Sequence, residues 1–198
     1  IAGPGGTRVS GGLQSESTGT IITQNTIEVG STTANPRSAG IVVHSALGGF
    51  ATGVQVTDNT ITADSGSLGS TGIFINPDTV GRVTPIIISG NNISGTNLGT
   101  GVAIDRLSYV TVDSNTIQRT GTAANGALTD LRQANAGTGS YGSSQTGIII
   151  TNNTLDGLDG SAPASRGIYL SARGAPTQQV TGVTIANNFI RDVAFGVV

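Results

Sequence analysis

Apolar and polar residues alternate in short bursts along this chain, and each burst ends in an asparagine. Val54 and Val56 precede Asn59, Ile86 and Ile88 precede Asn91, and Val110 and Val112 precede Asn115. Ile148 and Ile150 precede Asn153, and Val183 and Ile185 precede Asn188. In the first burst Thr20 takes one apolar place, ahead of Ile22 and Asn25. A period of two buries one face of a strand. Two residues past each asparagine an Ile or Leu (Ile27, Ile61, Ile93, Ile117, Leu155, Ile190) resumes burial after a sharp corner. The asparagines stand 34, 32, 24, 38 and 35 residues apart. A fixed phrase at elastic spacing predicts a fixed structural rung joined by variable loops, which is how a solenoid reads in sequence.

A second phrase lies between the asparagines: a glycine followed by an apolar strand. It occurs at Gly40-Ile-Val-Val43, Gly72-Ile-Phe-Ile75, Gly101-Val-Ala-Ile104, Gly167-Ile-Tyr-Leu170 and Gly196-Val-Val198, with Gly126-Ala-Leu128 as a degenerate member. These glycines are expected to permit tight turns. Helical periodicity is absent. The prediction is an all-β, single-stranded parallel solenoid of about six coils, its strands stacked at ~4.8 Å. Residues 1–198 form one domain, with an irregular first coil at 1–19 and a long loop insertion at 118–146. The corner residues Asn25, Asn59, Asn91, Asn115, Asn153 and Asn188 are expected to adopt left-handed backbone geometry and to bond to one another along the axis.

Composition narrows the class. Only 10% of the 198 residues are charged, the net charge is -2, and the 36% hydrophobic share holds few aromatics, so the core is built from Ile, Val and Leu. Disordered chains pair low hydrophobicity with high net charge, so this chain reads as ordered. All nine basic residues are Arg and none clusters, which argues against nucleic-acid binding. The absence of Cys excludes disulfides and thiolate metal sites. No apolar run reaches the ~18 residues of a membrane span. The chain opens at Ile1 and stops at Val198 inside a repeat phrase, so it is expected to be an excised part of a longer solenoid. The location expected is extracellular or on a microbial cell surface.

Candidate chemistry lies along one face. The fourth residues after the repeat glycines are His44, Asn76, Asp105, Asp130 and Ser171, with Phe74 and Tyr169 beside them. If Gly126 is in register, Asp105 and Asp130 fall one rung apart, at ~5 Å, where two carboxylates can act as acid and nucleophile. Arg106, Arg132 and Arg173 follow closely, suited to an acidic sugar. The bland reading is a row of solvated strand ends whose Asp–Arg pairs contribute little. Asp156-Gly-Leu-Asp159-Gly is a calcium-type turn by its two carboxylates, but it lacks the other oxygen ligands of a known loop. No other cofactor is expected. The loop from Gln118 to Gln145, with Arg119 and Tyr141, is either a surface insertion or a groove wall.

The phrases Gly72-Ile-Phe-Ile75, Val110-Thr-Val-Asp-Ser-Asn-Thr-Ile117, Gly147-Ile-Ile-Ile-Thr-Asn-Asn-Thr-Leu155 and Val183-Thr-Ile-Ala-Asn-Asn-Phe-Ile190 resemble the repeats of right-handed parallel β-helix proteins of the pectin-lyase-like superfamily, across roughly residues 20 to 198. That resemblance implies the fold. It leaves function open among lyases, glycoside hydrolases, epimerases, phage tailspikes and surface adhesins. Polygalacturonase-type hydrolases carry Asn-Thr-Asp-Gly, but Ala39, Thr71, Thr100, Asn125, Arg166 and Phe195 precede the repeat glycines here. Gly-His-Gly, a calcium-binding Asp cluster and Asp-Pro-His-Asp are also missing. The first expectation is therefore a non-catalytic surface or structural segment (adhesin, filament or fibre) that binds carbohydrate or other copies of itself along one face. The alternative is a polysaccharide lyase or glycoside hydrolase, or a tailspike segment, using Asp105 and Asp130.

Overall fold

The alternating bursts are strands. The computed structural model describes residues 13–15, 19–29, 39–45, 53–63, 70–77, 83–96, 98–105, 108–119, 127–133, 145–157, 165–172 and 180–198. Every regular element among them is a β-strand.

The strands form three sheets, and all the pairing within them is parallel. Sheet A has seven strands: Leu13–Ser15, Ala39–Ser45, Ser70–Pro77, Leu98–Asp105, Ala127–Gln133, Arg166–Ala172 and Phe195–Val197. Sheet B has six: Ile21–Thr23, Gln55–Thr57, Val83–Ser89, Ser108–Asp113, Gln145–Thr151 and Val180–Ala186. Sheet C has six: Thr26–Glu28, Thr60–Thr62, Asn92–Gly95, Thr116–Arg119, Thr154–Asp156 and Phe189–Arg191. The chain visits A, B and C in turn, and each visit stacks on the one before. The result is an all-β parallel solenoid. The strand Ala127–Gln133 lies within the stretch 118–146 and fills sheet A between its neighbours.

The core is a set of apolar columns. Val56, Ile88, Val112 and Ile150 line sheet B inside, and Ile61, Ile93, Ile117 and Leu155 line sheet C, all fully buried. Ile41, Ile73, Val102 and Ile168 close the third wall. Each such side chain contributes about 1.5–3 kcal/mol on leaving water.

Two backbone details differ from the sequence expectation. The left-handed residue at each B–C corner is the one before the asparagine: Gln24, Asp58, Gly90, Ser114, Asn152 and Asn187. The reason is that the asparagine side chain must turn inward to build the ladder described below. The repeat glycines are also not turn residues, for Gly40, Gly72 and Gly167 lack a left-handed φ. A Cβ on Gly72 would stand 2.5 Å from Ile93 Cγ2 and 2.6 Å from the Gly101 carbonyl oxygen. At Gly40 and Gly167 the same intrusion would meet Ile61 and Ile190. These glycines exist to give the sheet C isoleucines room.

The asparagines form one continuous hydrogen-bond ladder. Asn59 donates its backbone N–H and its Nδ2 to Asn91 Oδ1, at 3.0 and 2.9 Å. Asn91 does the same to Asn115, Asn115 to Asn153, and Asn153 to Asn188. Each Nδ2 also reaches the carbonyl two residues back and one in the preceding layer, as Asn115 does to Asp113 and Ile88. Asn59, Asn91, Asn115 and Asn153 are buried, and buried polar groups persist only when bonded in this way.

Candidate functional site

Sheet A carries the residues singled out for chemistry, and its register decides which of them meet. Val43 pairs with Ile75 and His44 with Asn76, while Ile75 pairs with Ile104. Asp105 therefore follows Asn76 in the row. The next partner of Asp105 is Arg132, and Arg132 pairs with Ser171. The row runs His44, Asn76, Asp105, Arg132, Ser171.

Asp130 lies in the adjoining row instead. It pairs with Ala103 on one side and Tyr169 on the other, so that row runs Val42, Phe74, Ala103, Asp130, Tyr169. The expected one-rung pair of Asp105 and Asp130 is replaced by a diagonal one, with Cα atoms about 8 Å apart by strand rise and spacing. The cause is local: Val102 pairs with Thr129, so Leu128 and not Gly126 occupies the repeat-glycine position. Tyr169 is half-buried, and the Arg166 guanidinium sits 4.6 Å from its ring centroid. Arg106, Arg173, Tyr141 and Asp159 lie outside the described residues.

Asp156, the other half of the calcium-type turn, is 5% exposed. Its Oδ2 accepts from Arg191 Nε at 3.0 Å and from Arg191 Nη2, and from Gln118 Nε2 at 3.4 Å. Among the described residues no three His, Cys, Asp or Glu side chains cluster.

Three features carried little or no advance signal. Arg119, placed by sequence in a loop, ends a sheet C strand and is 1% exposed. Its Nε donates to the Leu98 carbonyl at 2.9 Å and its Nη2 to that of Gly99 at 2.7 Å, which ties the end of sheet C to the start of a sheet A strand. Burial pulls its pKa below the usual arginine value. Tyr109 has φ +57°, and Gly53, Gly147 and Gly182, at the same place in other sheet B strands, are left-handed too. Left-handed backbone is uncommon for a bulky side chain. Its ring covers Gly147, where a Cβ would come within 2.8 Å of Tyr109 Cδ1. The signal was readable here, since Tyr109 replaces the glycine that opens the same phrase at Gly53 and Gly147.

The third feature is Asp113 on sheet B. Its Oδ1 accepts from Thr151 Oγ1 at 2.6 Å and Asn152 Nδ2 at 2.8 Å, and its Oδ2 from Ser114 Oγ at 2.8 Å. The Thr151 bond does most to hold this carboxyl below its ordinary pKa; burial pushes the other way, and the Ser114 and Asn152 bonds add to the lowering. A folded pKa below the unfolded one means stability present above the unfolded value and lost as pH falls through the folded one. Asp113→Asn is expected to flatten the acid side of a melting-temperature profile as pH falls through and below the ordinary aspartate range. An unchanged slope in the variant would refute the assignment.

No family model matches this chain, and neither a curated protein sequence nor a solved structure matches it at a significant level. No helix among the described residues is long and apolar enough to cross a membrane.

Proposed function

We propose that this chain is a non-catalytic segment of an extracellular surface or structural protein, and that the outer face of sheet A binds a polysaccharide. We further propose that its solenoid is right-handed, of about six coils, and of the pectin-lyase-like kind. The observation that carries the binding reading is the register of sheet A. It sets a row with two aromatics, Phe74 and Tyr169, directly beside the polar row His44, Asn76, Asp105, Arg132 and Ser171. A sugar ring has an apolar face and a rim of hydroxyls. A tyrosine has an apolar body and a polar tip that suit both, and hydrogen-bonding side chains alongside suit the rim. Strands repeating at ~4.8 Å match a ligand that is itself a repeating polymer.

The test is a panel of neutral and acidic polysaccharides assayed for binding and for product release. Binding without turnover is the expected result. Tyr169→Ala should weaken it at least tenfold, about 1.4 kcal/mol, with an unchanged unfolding temperature. Polysaccharide cleavage that disappears in Asp105→Asn would replace this reading with the enzyme one. Failure to bind any member of the panel would refute it.

A further inference from the structure

Sheet B turns a second face to solvent, and its residues alternate in size from strand to strand. The register places Ile21, Gln55, Ile87, Thr111, Ile149 and Thr184 in one row across its six strands. Ile21 is 61% exposed, Ile87 38% and Ile149 41%. Isoleucine thus stands on the first, third and fifth strands, and a polar side chain on the second, fourth and sixth. Tyr109, 43% exposed, extends the apolar surface on the fourth strand, next to exposed Pro85 on the third.

We propose that this face is the interface of a two-fold dimer with a second copy of the chain, the two solenoid axes antiparallel. Closure selects this arrangement. A two-fold axis lying in the interface along the strands sets strand one against strand six, two against five and three against four. Odd strands then meet even ones, so each isoleucine enters the gap over a Thr or Gln: Ile21 over Thr184, Ile87 over Thr111, Ile149 over Gln55. The contact is self-complementary and stops at two copies. A two-fold axis along the solenoid would instead set each isoleucine on its own copy and hold the Thr strands apart.

The same operation sets the Tyr109 backbone opposite Pro85 of the other copy and its ring, which lies over Gly147, opposite Gly53, and this gives a use to an aromatic held in left-handed backbone, a conformation that tends to cluster at functional sites. At the corner edge of the face the register sets Asp113 opposite Ser89 and Asp58 opposite Asn152. The face measures about 30 by 20 Å from strand spacing and rise, so the dimer buries about 1,200 Å², the lower edge for specific interfaces. A dimer of modest affinity is expected. The inference concerns sheet B and holds whether or not sheet A binds sugar.

The test begins with sedimentation over micromolar to submillimolar concentrations, where a reversible monomer–dimer equilibrium is expected. Ile87→Arg should weaken it at least tenfold with no loss of melting temperature. Tyr109→Gly should weaken it while leaving the monomer as stable or more so. The chain has no cysteine, so Gln55→Cys and Ile149→Cys can be made separately and treated with a thiol cross-linker reaching about 10 Å, the face-to-face sheet spacing. Cross-linked dimers should form in the mixture of the two variants and in neither alone. Gln55→Cys cross-linking to itself would mean parallel axes, growth beyond two copies would mean end-to-end stacking, and a monomer throughout would mean no interface. Any of the three overturns the proposal.

Discussion

Asn115→Ala lowers the stability of the fold by about 4 kcal/mol, because it strands several buried polar groups at once. Asn115 is 1% exposed. Its Oδ1 accepts from the backbone N–H and the Nδ2 of Asn91. Its Nδ2 serves the carbonyls of Ile88 and Asp113 and the Oδ1 of Asn153. Removing the amide leaves donors and acceptors on two neighbouring layers without partners and without water. Asn115→Asp separates packing from bonding. It keeps the shape and the acceptor, but turns a second oxygen toward three others. That carboxyl is neutral in the fold, since burial among acceptors raises its pKa. Stability in this variant is therefore greatest below the unfolded aspartate pKa and falls as pH rises. Urea unfolding at two pH values checks both claims. Asn25→Ala at the half-buried end of the ladder, where Asn25 donates to Asn59 and to the Thr23 carbonyl, should cost less than about 1 kcal/mol. Equal losses at Asn25 and Asn115 would disprove the ladder as a source of stability.

Gly72→Ala is the second large effect, at about 3 kcal/mol, by overpacking. The added Cβ overlaps Ile93 Cγ2 and the Gly101 carbonyl oxygen. A side chain can yield, but the stacked backbone cannot without parting two strands of sheet A. Trimming the neighbour in Gly72→Ala/Ile93→Ala should therefore recover none of the backbone share of the loss. The control is Gly196→Ala, where nothing stands within 4 Å of the new atom, and no change is expected. If Gly72→Ala were as mild as Gly196→Ala, the repeat glycines would have to be explained by turn geometry after all.

The contrast between Gly72 and Ile93 marks how far the chain alone could be read. Strand alternation is a local property, so Val54/Val56 and Ile148/Ile150 declared their buried face without any structure. The recurring Asn-x-Ile phrase declared the ladder, since equal corners stacked in register set each asparagine beside its counterpart in the next layer. Glycine's local virtue is conformational freedom, and a turn was the natural expectation. Its true role at Gly72 is a contact with a residue on another sheet, which no local rule contains.

The candidate site was less legible for the same reason. Asp105 and its row follow regular phrases, and their alignment with His44 and Asn76 could be read by counting from each glycine. Asp130 could not, because Gly126 imitates the repeat glycine while Leu128 holds its place. An offset of two keeps the strand's face and moves the carboxylate one row along, so alternation cannot detect it. Arg119 looked like a loop residue by composition and is buried because the carbonyls of Leu98 and Gly99, about twenty residues earlier, come to meet it.

By itself, then, the sequence determined the strands, their buried faces, the parallel stacking and the asparagine ladder, all of which follow from short periods repeated in every layer. Only the tertiary structure decided the register of the irregular strand, the purpose of the glycines and the burial of Arg119. Each depends on groups brought together from different layers or sheets, and the distance between those groups is set by the stacking of the whole solenoid.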